Sequence, residues 1–185
     1  MPYSDLNSFL TALERTGELA RVAEPVDPVL EATALARQVQ AGSGPALLLE
    51  NPVGGRMPLL LNLFGHRRRI EAVLAGRALS SLDELGRLLA RLHQPRLPGS
   101  LREGLRDWPE LAQIALTAPH RVRGEPDWGY VAEGPDVDLE ALPLQQCWPG
   151  DAGRLITLGL VLTHNQRLGR TNIGIYRQQL IGRNR

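Results

Sequence analysis

The residues best suited to chemistry lie on one extended stretch, Asn172-Ile173-Gly174-Ile175-Tyr176-Arg177-Gln178-Gln179, which follows the segment Cys147-Trp148-Pro149-Gly150-Asp151. Asn172 offers a neutral carboxamide oxygen acceptable to hard cations such as Mg or Mn, and Arg177 offers a planar fork matched to a carboxylate or phosphate. Gly174 lets another group come close to the backbone, and the amides of Ile175 and Tyr176 suit the polar edge of a cofactor. An anionic ligand bound together with a metal is the chemistry such a set would serve. An edge strand whose arginine pairs with a surface acid accounts for the same residues without any ligand. Alternation adds a constraint, because Asn172 and Arg177 are five apart and point to opposite faces of a regular strand. A bulge or strong twist near Gly174 would bring them onto one ligand; a regular strand would assign them to different parts of an extended one.

The elements that must position this strand follow from pattern. Ser4 or Asp5 can cap a first helix through about Thr16, with Leu6, Phe9, Leu10 and Leu13 at helical spacing and Gly17 as its stop. A short Arg21-Val22-Ala23 segment and the Pro25-Val26-Asp27-Pro28 breaker lead to a second helix over 29–40, with Leu30, Ala34 and Val39 facing inward and Gly42 ending it. Residues 46–50 and 58–64 are short apolar runs bounded by Gly and Pro, the pattern of buried strands. Helices return over 67–74 and 82–92, the latter capped by Ser80 or Ser81 with Asp83 and Glu84 in its first turn.

The expected organisation is an amino-terminal α/β domain over 1–118, including a Pro- and Arg-rich connection with a weak helix over 109–116, followed by a mostly β part over 119–185. In that second part Arg121-Val122, Tyr130-Val131, 155–163 and 172–181 carry β character, with 136–143 as a loop or single turn. The last two strands, separated by 164–171 with Gly169, read as a hairpin. A hairpin alone is marginal in water, so it must pack on the first domain, on further residues or on another chain.

Composition excludes several classes. The 185 residues are 43% hydrophobic, enough to bury a core, and the formal charge is +1 with no lysine anywhere, which gives no support for a polyanion-binding surface. A single cysteine, Cys147, excludes an internal disulfide framework and a multi-thiolate metal site, and fits a reducing compartment. No apolar run reaches the ~20 residues of a membrane span and no secretory signal is visible at Met1-Pro2-Tyr3, so a cytoplasmic location is expected.

Longer motifs then narrow the reading. Leu142-Pro143, Cys147-Trp148-Pro149-Gly150-Asp151-Ala152, Leu155-Ile156-Thr157 and above all Asn172 through Gln179 resemble the UbiD family of prenylated-FMN-dependent decarboxylases. Asp5-Leu6 with Phe9-Leu10, Val26 through Glu31, Gly44 through Pro52 and Asn62-Leu63-Phe64-Gly65 are similar to that family's first domain. The resemblance covers essentially the whole chain. It implies an α/β amino-terminal domain followed by the first, mostly β part of a split β-barrel that holds the flavin. It also implies a carboxy-lyase acting on an aromatic or α,β-unsaturated acid, with 3-polyprenyl-4-hydroxybenzoate of ubiquinone biosynthesis among the candidate substrates.

By the same resemblance, Asn172 is a ligand to a divalent metal, usually manganese, beside the cofactor phosphate, with K+ as a further cation. Ile175, Tyr176 and Arg177 line the prenylated FMN, and Arg177 holds the substrate carboxylate. The implied partners are a small carboxylic acid, a homo-oligomer in the full-length form and a flavin prenyltransferase that supplies the cofactor. The histidine and glutamate completing the metal site, and the acidic proton donor, are expected beyond Arg185, so this polypeptide alone is expected to be inactive. A non-catalytic module that associates with a complementary chain is the alternative. Leu158 stands where many relatives carry tryptophan.

Other candidates carry less. Cys147 has no histidine close in sequence and reads as a packed thiol. His66, His93, His120 and His164 lack metal-ligand spacing, although His164 near the hairpin turn is placed to approach a ligand. Gly65-His66-Arg67-Arg68-Arg69 reads as a solvated basic face or a domain contact. Asn51 through Arg56 lacks the glycine spacing of a phosphate loop.

Overall fold

The computed structural model describes residues 3–74, 81–93, 108, 112 and 129–185, which form two compact units. One unit takes residues 1–12 and 67–129, the other 13–66 and 130–185. The expected connection helix over 109–116, the Arg121-Val122 strand, His120 and the boundary near 118 lie largely or wholly outside the described residues.

Helix α1 (Leu6–Arg15) straddles the division between the units. Its start is a reciprocal cap: Asp5 Oδ1 accepts from the Ser8 amide at 2.7 Å, and Ser8 Oγ accepts from the Asp5 amide at 3.3 Å. Gly17, at φ 73°, turns the chain out of the helix in the left-handed conformation that glycine adopts at little cost. In the first unit, Tyr3 and Phe9 rings stand 4.9 Å apart, and α3 (Arg67–Leu74) and α4 (Leu82–His93) share a small core of Leu74 and Leu88 with Ile70, Leu82 and Leu85. The basic run at the start of α3 is divided, with Arg67 and Arg68 exposed to solvent as expected of a basic face and Arg69 turned inward. Arg67 is held by Glu71 at 2.7 Å and approaches Asp83 at 3.9 Å, and Arg69 is fully buried.

The second unit is built on a three-stranded sheet in the order β1-β2-β3. Strand β1 (Leu19–Val22) runs parallel to β2 (Ala46–Leu49), pairing Leu19 with Ala46 and Val22 with Leu49. The crossover between them is α2 (Glu31–Ala41). β3 (Leu59–Leu61) returns antiparallel, with Leu49 opposite Leu59. The core joins Val26, Ala32, Leu47, Leu49 and Leu61, with Leu35, Ala36 and Val39 of α2 packed against it. The inward face of α2 is thus Ala32, Leu35, Ala36 and Val39, which includes Val39 as expected; Leu30 is exposed because the helix starts after it, and Ala34 is exposed because it falls on the opposite face from that stripe. Strand β3 ends at Leu61 rather than near Phe64, because Asn62 turns the chain at φ 56° and its side-chain amide donates to the Pro45 carbonyl at 2.9 Å.

Residues 130–147 belong to the same unit but are largely irregular. Tyr130-Val131, expected to carry β structure, form no strand, and two single 3-10 turns occupy Gly134–Asp136 and Leu139–Ala141. The segment after them is stitched to the α/β core: the Arg56 amide donates to the Ala141 carbonyl at 3.0 Å, and the Leu30 amide donates to the Gln146 carbonyl at 2.9 Å. Leu30 itself has φ 66° and ψ −46°, the centre of a γ-turn closed by the Glu31 amide on the Val29 carbonyl at 2.8 Å. Beyond it, β4 (Leu155–Asn165) and β5 (Arg170–Gln179) form a separate two-stranded antiparallel sheet. Asn165 pairs with Arg170, so four residues make the turn, with Gly169 at φ 58°.

Candidate functional site

Strand β5 carries all four residues singled out from the sequence, and β4 is its one neighbour among the described strands. The ladder is regular from Asn165 opposite Arg170 to Gly159 opposite Tyr176. The irregularity then falls on β4, where Thr157 and Leu158 together oppose Arg177 before pairing resumes at Ile156 with Gln178. The bulge is therefore not near Gly174. Alternation places Asn172, Gly174 and Tyr176 on one face of the sheet and Ile173, Ile175 and Arg177 on the other. The structure does not bring Asn172 and Arg177 together; it divides them between faces.

All four candidate side chains are exposed, Ile175 by 62% and Tyr176 by 53%. Arg177 has no ion-pair partner among the described residues, in contrast to Arg21, Arg67 and Arg183. A surface acid thus does not account for it within this set. The group that approaches the Gly174 backbone is the ring of Tyr176, which lies where a side chain at 174 would project. On the same face as Arg177, Leu160 stands opposite Ile175 and Leu162 opposite Ile173, all four widely exposed. His164, considered as a ligand contact, instead places Nδ1 3.1 Å from Thr171 Oγ1 across the ladder.

The loop before β4 is braced by an acid that the sequence reading passed over. The Cys147 and Trp148 amides donate to Asp151 Oδ2 at 3.0 and 2.9 Å, closing a compact turn, while the Arg37 guanidinium of α2 lies 5.2 Å from the Trp148 ring centroid. Cys147 is half-buried and free. Gln179 Nε2 donates to the Ala152 carbonyl at 3.0 Å, tying the end of β5 to this loop. The spacing of Asp151, three and four residues after the amides it accepts from, was a readable turn signal. The bulge opposite Arg177 had a weaker one, the isolated Gly159 inside an apolar strand.

Two clefts border the hairpin. One, about 620 Å³, is lined by Glu140, Ala152, Arg154, Gln179 and residues 180–182. The other, about 290 Å³ and chiefly apolar, runs between Met57-Pro58-Leu59, Leu142 through Gln145 and Leu155 through Leu158. Among the described residues no group of three His, Cys, Asp or Glu is placed to hold a metal. Asn172 supplies one hard oxygen donor, so these residues fit one position of a divalent-ion sphere and not a complete site. For a flat aromatic cofactor the exposed strand offers Ile175 and the Tyr176 ring as apolar contacts, while the space over Gly174 is taken by that ring.

Comparison with known proteins agrees along both parts of the chain. Residues 10–89 match the family model for the 3-octaprenyl-4-hydroxybenzoate carboxy-lyase N-terminal domain, and residues 121–185 match that for its Rift-related domain. Among solved structures, an evolved dimeric form of the UbiD-class enzyme HmfF from Pelotomaculum thermopropionicum, in complex with prFMN, is 28% identical with TM-score 0.70, covering 98% of this chain and 37% of that one. HmfF has also been solved in complex with FMN, with TM-score 0.67 and coverage of 96% and 35%. The vanillic acid decarboxylase of Sedimentibacter hydroxybenzoicus, in its open form with truncated ShVdcD, is 25% identical with TM-score 0.69, covering 98% of this chain and 35% of that one. The 3,4-dihydroxybenzoic acid decarboxylase of Enterobacter cloacae is also 25% identical, with TM-score 0.66 and coverage of 99% and 36%. The chain therefore spans little more than a third of the length of these relatives.

Proposed function

We propose, from the premise that this chain belongs to the UbiD family, whose N-terminal and Rift-related domain models it matches in order, that β5 is one wall of a non-oxidative decarboxylase site. The substrate class is an aromatic or α,β-unsaturated carboxylic acid. The observation that carries this reading is Arg177, an exposed guanidinium with no acid beside it among the described residues, on a strand inside the Rift-related match. An unpaired planar fork is a carboxylate receptor, and a bidentate hold fixes both the position and the orientation of the bond to be broken.

Loss of CO2 from such an acid leaves electron density with no stable home, and prenylated FMN, when bound, supplies the electron sink. The chain's own residues position. Arg177 holds the carboxylate, Ile175 beside it on the same face offers an apolar contact that keeps water from the anion, and Tyr176 faces the opposite side with Asn172. Arg177 stays protonated throughout, so the proton that replaces CO2 must come from an acid elsewhere in the assembled site. Asn172 contributes one oxygen to the divalent ion, Mn2+ in this reading, and the remaining ligands come from outside the described residues. The hairpin is the opening of a split β-barrel, completed by further residues of a longer, homo-oligomeric protein.

The uncovered apolar side chains of the hairpin also suit a second reading, a non-catalytic module that docks on a complementary polypeptide. Two measurements separate the readings. The purified 185-residue chain is expected to show no stoichiometric flavin absorbance, and a retained flavin spectrum would contradict that expectation. In a parent polypeptide that continues past Arg185, Arg177→Ala is expected to lower decarboxylation by ~10²-fold or more with the fold intact; an unchanged rate removes the role given to Arg177.

A further inference from the structure

The upper part of the hairpin and its base are one residue out of phase. Above the bulge Gly159 pairs with Tyr176; below it Ile156 pairs with Gln178 and Leu155 with Gln179, and Thr157 and Leu158 share the place opposite Arg177. The turn between Asn165 and Arg170 sets the upper register, so contacts at the base must set the lower one. Two hydrogen bonds join β5 or the residue after it to the chain that leads into β4: the Leu180 amide donates to the Arg154 carbonyl at 2.9 Å, and Gln179 Nε2 donates to the Ala152 carbonyl at 3.0 Å. Ala152 is itself placed by local structure. Asp151 before it closes the loop on the Cys147 and Trp148 amides, and Gly153 after it holds φ 148°, a conformation that residues with side chains rarely adopt. A second register is open to the base, in which β5 slides by one residue and the bulge is expelled. Arg177 would then face Leu158 alone, and Gln179 would face Ile156 in place of Leu155. That slide carries Gln179 ~3.3 Å farther from Ala152 along the strand, beyond the reach of the bond it now makes.

We propose that Gln179 is a positioning residue for Arg177: its side-chain bond to the loop selects the bulged register, and the bulge sets the direction in which the guanidinium leaves the sheet. A bulge bends the strands, increases their twist and re-aims the side chains beside it. The inference rests on the reading of Arg177 as the carboxylate receptor. Gln179 lies two residues beyond Arg177 on the same face of β5, so the strap ends one side-chain spacing from the group it orients. It acts through Arg177 and not on the substrate. One neutral hydrogen bond favours the register that contains it by about 5-fold.

The structural half of this is tested in the 185-residue chain by NMR. Gln179→Ala is expected to make the Leu180 amide exchange about 5-fold faster and to add cross-strand contacts of Ile156 with position 179 to those with Gln178. Gln179→Glu keeps the size of the side chain, has no donor at neutral pH and is expected to do the same, which separates the bond from packing. The functional half needs a parent polypeptide that continues past Arg185. There Gln179→Ala is expected to lower kcat about 5-fold with KM changed less than about 2-fold, because the carboxylate is still held but turned. Added to Arg177→Ala, the same change should alter the rate less than about 2-fold, whereas a general loss of structure would multiply the two effects. Leu180 exchange or Ile156 contacts unaltered in Gln179→Ala, or losses that multiply in the double variant, overturn the proposal. The decarboxylase reading fails separately: an unchanged rate in Arg177→Ala sinks it, and altered Ile156 contacts in Gln179→Ala still leave the choice of register to Gln179.

Discussion

Residues 46–49 and residues 170–179 are both extended and both carry aliphatic side chains, continuous in the first and limited to Ile173 and Ile175 in the second, and those side chains end in opposite surroundings within one compact unit. β2 lies between β1 and β3 with α2 over one face, and Leu47 and Leu49 are 4% and 0% exposed. β5 has β4 as its one neighbour among the described strands, and Ile173 and Ile175 are more than half exposed. The difference lies in what covers the strand as well as in its composition, all apolar in β2 and mostly polar in β5. A leucine in β2 contributes stability by leaving water, whereas an isoleucine in β5 is surface held ready for something else. The chemistry-bearing side chains sit on the region that contributes least to its own core, as expected where a rigid scaffold presents a site that further structure must complete.

The largest effect that could break this contrast is in the cores themselves. Leu49→Ala is expected to cost about 2–5 kcal/mol, measured as a lowered denaturation midpoint, while Leu160→Ala on the hairpin should stay within about 0.5 kcal/mol. Equal losses at the two sites would mean that the hairpin is covered in solution and that its exposure is not a property of the chain. A smaller change sharpens the picture of the join between the regions. Leu30 holds a positive-φ γ-turn whose amide reaches Gln146, and a non-glycine residue there is strained. Leu30→Gly should therefore raise stability by about 0.5–1 kcal/mol, and a clear loss in chemical denaturation would show that the leucine side chain matters more than the strain.

Acid should act on the α/β region before the hairpin, with the smallest effect of the three. Hydrogen bonding, chiefly from the Ser8 amide, holds the Asp5 carboxyl below the usual range, and the Arg21 guanidinium does the same for Glu14. Arg21 is itself shifted upward by Glu14 first and Glu50 second. Because both carboxyl groups bind protons less readily when folded, their contribution is present above the ordinary carboxylate range near pH 4 and is lost as pH falls through it. Both are exposed, so solvent keeps the effect small. Melting temperatures from pH 6 to pH 3 should fall less steeply in Glu14→Gln than in the unmodified chain; identical slopes would remove the Glu14–Arg21 pair from the account.

Much of the architecture was legible in the residues. Asp5 and Gly17 bracket α1, Gly and Pro delimit β2 and β3, and the turn at Gly169 makes the hairpin, because each is a local signal read from neighbouring residues. β1 was missed as a strand: Leu19-Ala20-Arg21-Val22 is short, and its pairing is parallel to a strand more than twenty residues away. The inward face of α2 was read correctly at Val39 and wrongly at Leu30 and Ala34; Leu30 is taken out of the helix by its γ-turn, and nothing in local propensity favours a leucine with positive φ. The burial of Arg69 likewise had no sequence signal, since a basic run at a helix start ordinarily stays in water.

The candidate site divides the same way. Residue types alone determined that Arg177 can receive an anion, that Asn172 can give one oxygen to a hard cation and that Gly174 leaves its backbone open, because those are properties of side chains. Only the tertiary structure decided that the bulge falls at Thr157-Leu158 on the neighbouring strand, that Asn172 and Arg177 therefore face opposite ways, and that the ring of Tyr176 covers the glycine. Register and cover depend on which strand lies alongside and where its extra residue is placed, a long-range choice that no single stretch of sequence contains.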